Sequence, residues 1–376
     1  MSIMENPFTP SFGEIPLHLA GREEIIASLS RAFAGERRRP ELTSLFVGAR
    51  GTGKTALLAY LASLAERHGW ISVSATATAG LLDDVEIQAL RKASHLLESE
   101  DAFSVKSVGI PEVLSVDLGG KVERKSNWRS RMEDVLSQLD GTNTGLLITI
   151  DEVDPDLDEM VHLASVYQHY VLEGRKVALL MAGLPHNVSS LISNRTVSFL
   201  RRANLVHLGR IPDYEVADAF RRTVRDTGRD INEEVLGRAT RAIDGFPYMM
   251  QLVGFHAWDE SGSEANIDAE SLDRGLRMAR NDLSHRVLDA TYRELSPEDV
   301  RFLLAMTEDE GDSAIADLTK RLGRSTSQVA QYRKRLIDAG VIGRRARGVV
   351  GFELPYFREY LIELAEEEGL AYEKAL

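Results

Sequence analysis

Short apolar runs and helical stripes take turns along the first two hundred residues. Leu42 to Gly48 (LTSLFVG) is an apolar run closed by glycine and predicts a buried strand. Ala56 to His68 sets Leu57, Leu61 and Leu64 on one stripe, the spacing of an amphipathic helix. Trp70 to Thr76 alternates as a strand does, Asp83 to Leu97 predicts a helix, Leu146 to Ile150 (LLITI) a buried strand and Leu157 to Leu172 another helix. Val177 to Ala182 and Leu205 to Leu208 complete the set. Strands alternating with helices in this way predict a three-layer α/β domain with a parallel sheet. The alternation breaks at Val105 to Val122, where apolar residues alternate around Gly109, Pro111 and Gly119-Gly120, and a β-hairpin insertion is expected.

After Pro212 the strand signal stops. Four helical patterns follow, Tyr214 to Asp226, Glu233 to Ile243, Tyr248 to Trp258 and Ala269 to Leu288, which predict an all-α module. From Ser296 the pattern becomes three short helices and a glycine-flanked basic turn. The expected division is therefore 1–211, 212–288 and 289–376.

In the last of these, Ser313 to Leu322 is an amphipathic helix with Ile315, Leu318 and Leu322 at core spacing. Gly323 permits a tight turn, Ser325 can cap, and Thr326 to Ala339 forms a second helix with Val329, Leu336 and Ile337 inward. Gly340 to Ile342 begins a strand, Gly343 to Gly348 is a basic turn, and Val349 to Leu354 returns. A winged helix-turn-helix is the economical reading. Such a module lays its second helix in a major groove and its wing on the adjacent phosphates of double-stranded DNA. Thr326, Ser327, Gln328, Gln331, Lys334 and Arg335 are the candidates for the groove, and Arg344, Arg345 and Arg347 for the backbone.

Charge sharpens that reading. The 376 residues carry 45 Lys and Arg against 58 Asp and Glu, a net charge of −13, so the whole molecule repels polyanions at long range. Asp312 to Val350 departs from this mean, with nine basic residues against three aspartates. Any contact with DNA is thus local. The chain has no cysteine, which excludes disulfides and thiolate metal sites, and its nine histidines show no HExxH spacing. The amino terminus has no basic and apolar leader pattern, and no apolar run nears the ~20 residues that span a bilayer, so a cytoplasmic protein without membrane contact is expected.

The sharpest chemical signal is Gly48, Ala49, Arg50, Gly51, Thr52, Gly53, Lys54 and Thr55, which fits GxxxxGK[ST] between a strand and a helix that begins near Ala56. Glycines let the loop wrap phosphates with its N–H groups inward, and the helix N-terminus adds about half a positive charge. Lys54 would reach the β- and γ-phosphates of ATP, or the β-phosphate of ADP, and Thr55 would ligate Mg²⁺. The LLITI strand then ends in Asp151 and Glu152. A carboxylate leaving a parallel strand near such a loop can hold the metal's water shell, and its neighbour can orient the attacking water. Asp151 is therefore assigned to Mg²⁺ and Glu152 to water activation. Arg201 and Arg202, just before the last strand, are candidates for a mobile arginine finger, with Arg195 nearby.

Taken together, these pieces resemble a P-loop ATPase of the AAA+ and STAND type, in the branch that includes origin-recognition ATPases. The resemblance rests on Leu19-Ala-Gly-Arg22-Glu-Glu24, GARGTGKT, LLITIDE, Gly245-Phe-Pro247-Tyr248 with the following MMQLVG, and the carboxy-terminal winged helix. It implies a P-loop NTPase core, a helical lid over residues 212–288, a base pocket that includes Arg22, and Pro247 against the nucleotide. It also implies a polar sensor at the end of VALLMAGLP, where this chain has Ala182 and Gly183; His186, Asn187 or Ser189 would have to substitute. The lid shows no sensor arginine at the usual place, so hydrolysis is expected to be slow or to need a partner. No guanine-reading NKxD is present, which favours adenine.

The expected function is a Mg²⁺-dependent ATPase that couples nucleotide state to double-stranded DNA, with self-association through an arginine finger. The rival is a signalling or scaffold ATPase with little turnover whose winged helix binds protein partners.

Overall fold

The computed structural model describes residues 5–11, 13–100, 121–262 and 264–368. Helix α1 (Glu23–Ala34) leads to strand β1 (Thr43–Val47), helix α2 (Lys54–Arg67), strand β2 (Trp70–Thr76) and helix α3 (Leu81–Glu100). Helix α4 (Lys121–Gly141), strand β3 (Gly145–Asp151), helix α5 (Asp158–Leu172), strand β4 (Val177–Gly183), helix α6 (Pro185–Ser193) and strand β5 (Asn204–His207) follow. The five strands form one parallel sheet in the order β2-β3-β4-β1-β5. Its two faces are sorted by the alternation along each strand. In β1, Phe46 joins the cluster under α1 and α2, whereas Leu45 and Val47 join the one under α3 to α6. Three layers result, as the sequence pattern predicts.

Helix α4 is a correction to that pattern. Its buried Trp128, Met132, Val135, Leu136 and Leu139 have helical spacing, a signal that the composition of the preceding stretch obscured. The hairpin expected over 105–122 lies outside the described residues, except that its last two positions, 121 and 122, are helical.

Helices α7 (Asp213–Arg225), α8 (Glu233–Ile243), α9 (Pro247–Glu260) and α10 (Ala269–Leu283) form the second module, with a short parallel pairing of β6 (Asp230–Ile231) and β7 (Asn266–Ile267) between them. Asn232 and Asp268 cap α8 and α10 through their side chains. The expected single helix to Leu288 instead passes through a π turn at Ser284–Leu288 into α11 (Asp289–Arg293).

The carboxy-terminal stretch folds as α12 (Pro297–Thr307), β8 (Ser313–Ala314), α13 (Ile315–Leu322), α14 (Thr326–Asp338), β9 (Ile342–Ala346), β10 (Val349–Phe352) and α15 (Phe357–Glu368). Ser313 and Ala314, expected in a helix, pair with Val350 and Val349 as an edge strand of the antiparallel sheet β8-β10-β9. Ser325 and Gln328 close a capping box on α14, and Gly323 ends α13 at φ +60°. One apolar cluster runs without a break from Phe8 through α7 to α10 into α12, α14 and α15. The last two modules therefore share a core.

Candidate functional site

The loop from Gly48 to Gly53 joins β1 to α2. Gly53 adopts φ +83°, and α2 starts at Lys54 with no side-chain cap, which leaves its first N–H groups for an external acceptor. Gly48 is fixed by crowding, since a Cβ there would stand 2.5 Å from Thr52 Oγ1 and 2.8 Å from the Leu208 carbonyl. Thr52 Oγ1 donates to the Ala49 carbonyl at 2.8 Å and holds the loop's bend.

Lys54 is only 5% exposed, and its Nζ donates to the carbonyls of Gly48 and Ala49 at 3.1 and 2.9 Å. Burial lowers its pKa, against the opposing fields of Glu152 and Asp151. Thr55 Oγ1 donates to Asp151 Oδ2 at 2.5 Å. This bond spans the sheet from the helix after β1 to the end of β3, with β4 between the two strands. Asp151 Oδ1 in turn accepts from the Glu152 N–H at 2.9 Å. Glu152 takes φ +52°, a left-handed conformation that costs a side-chain-bearing residue about 1–3 kcal/mol. Its carboxylate is exposed at the mouth of the loop.

Arg50 to Thr55 and Glu152 line a cavity of about 490 Å³. Its other walls come from Pro247, Tyr248 and Gln251 of α9, from Arg286 and Val287 of the π turn, and from the amino-terminal strap Thr9 to Ala20. The strap is clipped to the helical module. Phe8 fills the notch left by Gly254, where a Cβ would meet its ring at 2.2 Å, and the Thr9 N–H donates to Gln251 Oε1 at 3.0 Å. His18 lies 2.8 Å from Asp226. Phe8→Ala should therefore free residues 5–20 to rapid amide exchange while the parallel sheet stays protected; unchanged protection of the strap would remove this anchor.

Arg22 is buried and donates to the Thr52 carbonyl at 3.2 Å, so it braces the loop from behind. Burial lowers its pKa, with Glu215 and Glu23 opposing. Pro247 begins α9 beside Gly53, 3.7 Å from where a Cβ on that glycine would stand. Ala56 lies in the first turn of α2 and lines the same cavity. Arg201 and Arg202 sit exposed on a short 3-10 turn, Arg201 donating to the Ile192 carbonyl at 3.2 Å, and neither lines the cavity. A Cβ at Gly183 would meet Val153 at 3.2 Å and Val188 at 3.3 Å, so the space beside it is tight. Asn187 spends its amide on the Val153 carbonyl at 2.8 Å. Arg286 went unnoticed in the sequence because only the π turn carries it to the cavity wall.

Residues 18–169 match the family model for the AAA ATPase domain. This stretch is an AAA ATPase domain. Residues 285–361 match a model described as a domain of unknown function, DUF8462. Across nearly the whole chain the structure is similar to the Walker-type ATPase PABY2304 of Pyrococcus abyssi (16% identity, 92% of this chain and 96% of that one, TM-score 0.63). It is also similar to the Aeropyrum pernix ORC2 protein in its ADPNP-ADP complexes (14% identity, 96% and 98% covered, TM-score 0.62). At these identities the likeness establishes the P-loop ATPase fold. No curated protein matches the sequence. Among the described residues no helix is long and apolar enough to cross a membrane.

The residues expected at DNA divide in two. Thr326, Ser327, Gln331, Lys334, Arg344 and Arg347 are exposed on α14 and the β9-β10 hairpin. Arg335 is instead turned onto the buried Asp299 at 2.7 Å and Arg345 onto Glu353 at 2.6 Å. Gln328 is committed to the capping box. Lys320, Arg321 and Arg324 are likewise in ion pairs, with Asp317, Asp309 and Glu298. Of the nine cations, Arg333, Lys334, Arg344 and Arg347 are without an acidic partner among the described residues.

Proposed function

We propose that the protein binds ATP with Mg²⁺, hydrolyses it slowly, and uses nucleotide state to control a carboxy-terminal module that meets double-stranded DNA. The observation that carries the catalytic part is the Thr55 to Asp151 hydrogen bond. It joins the uncapped helix of the phosphate loop to the acid-bearing strand and sets Glu152 beside both.

The loop amides and the α2 N-terminus supply the field for the phosphates, and Lys54 adds a full charge already desolvated by the protein. A buried ammonium interacts strongly with an anion because little water screens it. Thr55 Oγ1 and Asp151 form an oxygen pair that fits Mg²⁺, a cation held by one or two carboxylates, waters and phosphate oxygens; when bound it offsets the charge of those oxygens. Glu152 accepts the proton of the attacking water. Glu152 lines the same cavity as Lys54 and Thr55. Slow turnover follows from Gly183 and Asn187, since one has no side chain and the amide of the other is held by the Val153 carbonyl. Arg201 and Arg202, exposed and remote from their own cavity, suit a finger offered to a neighbouring copy.

The four unpaired cations support DNA contact at α14 and the hairpin. With four phosphate contacts the ~−0.9 slope per contact predicts roughly a 150-fold loss of affinity between 50 and 200 mM salt. Arg344→Ala with Arg347→Ala should halve that slope, leaving roughly a 12-fold loss over the same salt range in a gel shift. A shift that is unchanged in the double variant discards the contact. The decisive assay is ATP turnover with and without duplex DNA, where stimulation or inhibition links the two modules. Tightly retained ADP, negligible turnover and no DNA affinity would favour a scaffold with a protein partner instead.

A further inference from the structure

The carboxy-terminal stretch is fastened to the phosphate loop itself. Arg50 donates two hydrogen bonds to Glu294, at 2.8 and 2.9 Å. Gly340, in the turn that ends α14 at φ +72°, lies so close that a Cβ on it would stand 3.1 Å from the Cα of Ala49. Asp338, the last residue of α14, faces His186 of α6 at 3.9 Å. Ala49 and Arg50 occupy positions that GxxxxGK[ST] leaves open, so phosphate chemistry does not dictate their side chains. Both are spent on the module.

We infer that nucleotide binding and docking of the carboxy-terminal module oppose each other through the Arg50 to Glu294 and Ala49 to Gly340 contacts. This rests on the nucleotide reading above and gives it a route. Arg50 lines the nucleotide cavity as well as binding Glu294, so a triphosphate competes with that carboxylate for the guanidinium. The pair is exposed at both ends and hence weak, as suits a contact that must open. At Ala49 and Gly340 backbone meets backbone, with no flexible side chain to absorb a shift as the loop closes on phosphate. Gly340 cannot be replaced without strain, because both its φ and its neighbour exclude a Cβ. Helix α14 is a rod of 13 residues, about 20 Å at 1.5 Å per residue, with Gly340 at one end and the exposed Thr326 and Ser327 at the other. Displacement at the loop is therefore delivered to the surface proposed for DNA.

The chain's lack of cysteine allows clean labelling. Spin labels at Ser189→Cys on α6 and Ala316→Cys on α13, both exposed, report the separation of core and module. Saturating ATP with Mg²⁺ should lengthen that distance in the full chain. Glu294→Gln should lengthen it without nucleotide and tighten ATP binding by up to roughly 5-fold, the most that an exposed ion pair is worth, as reciprocal coupling requires. The charge swap Arg50→Glu with Glu294→Arg should restore the short distance that each single change loses. If the wild type binds ATP but the distance does not respond and Glu294→Gln binds with wild-type affinity, the coupling fails and the nucleotide reading stands. If the wild type binds no adenosine nucleotide, both fall.

Discussion

Replacing Glu152 with Gln leaves ATP bound and lowers its turnover by roughly 10²- to 10⁴-fold, the usual worth of a positioned general base. The substitution keeps the shape of the side chain and the Glu152 N–H bond to Asp151, which is made by the main chain. What it removes is the carboxylate that takes the water's proton. The side chain is exposed at the mouth of the loop and makes no hydrogen bond among the described residues, so little stability depends on it. A change in melting temperature is not expected. Single-turnover hydrolysis and nucleotide affinity should be measured on the same preparation. Equal rates in the variant and the wild type would remove Glu152 from the chemistry and leave its left-handed backbone without a functional reason.

Lys54→Met should have the opposite signature, with nucleotide affinity lost and stability kept. A charge-assisted hydrogen bond is worth about 1.5–3 kcal/mol, so affinity should fall roughly 10- to 150-fold from that contact alone. The stabilisation that ATP gives the wild type on heating should shrink accordingly. The unliganded protein should melt at least as high as the wild type. Lys54 is buried, and desolvation already lowers its pKa, so the protein holds a charge there at a cost that methionine does not incur. Against this stands the loss of two hydrogen bonds to the buried Gly48 and Ala49 carbonyls, of which the Ala49 oxygen keeps the Thr52 hydroxyl as donor. A variant that still gains the full thermal shift from ATP would show that the lysine does not meet the phosphates. A variant that melts well below the wild type would show that its place is structural.

The two predictions differ because the two residues do. Lys54 is preorganised by burial, which costs stability before any ligand arrives. Glu152 instead costs backbone strain.

Much of this was legible along the chain. The parallel sheet follows from short apolar runs spaced by amphipathic stripes, and each strand of it was placed within a residue or two. The phosphate loop and the Asp151-Glu152 pair are local patterns whose chemistry travels with their spacing. Helices α13 and α14 were equally visible, because Gly323 and Ser325 are turn and cap residues whose effect is local, whereas Gln328, expected at a groove, closes the capping box. What failed was whatever depended on a distant partner. Ser313 and Ala314 are a strand only because Val349 and Val350 lie alongside them. Arg335 and Arg345 looked like groove and backbone contacts, yet Asp299 and Glu353 hold them. Nothing in a run of basic residues tells which of them an acid elsewhere will claim.

The sequence alone thus determined the layers of the first module and the pattern of loop and strand-end acids that the fold sets together. Hydrophobic periodicity and glycine's backbone freedom act over a few residues and need no tertiary information. Only the tertiary structure decided that an amino-terminal strap is clipped over the cavity by Phe8, that a π turn brings Arg286 to its wall, and that Glu294 and Gly340 press on Arg50 and Ala49. Phe8 with Gly254, Glu294 with Arg50 and Gly340 with Ala49 lie 244 to 291 positions apart in the chain, and no local pattern encodes their meeting.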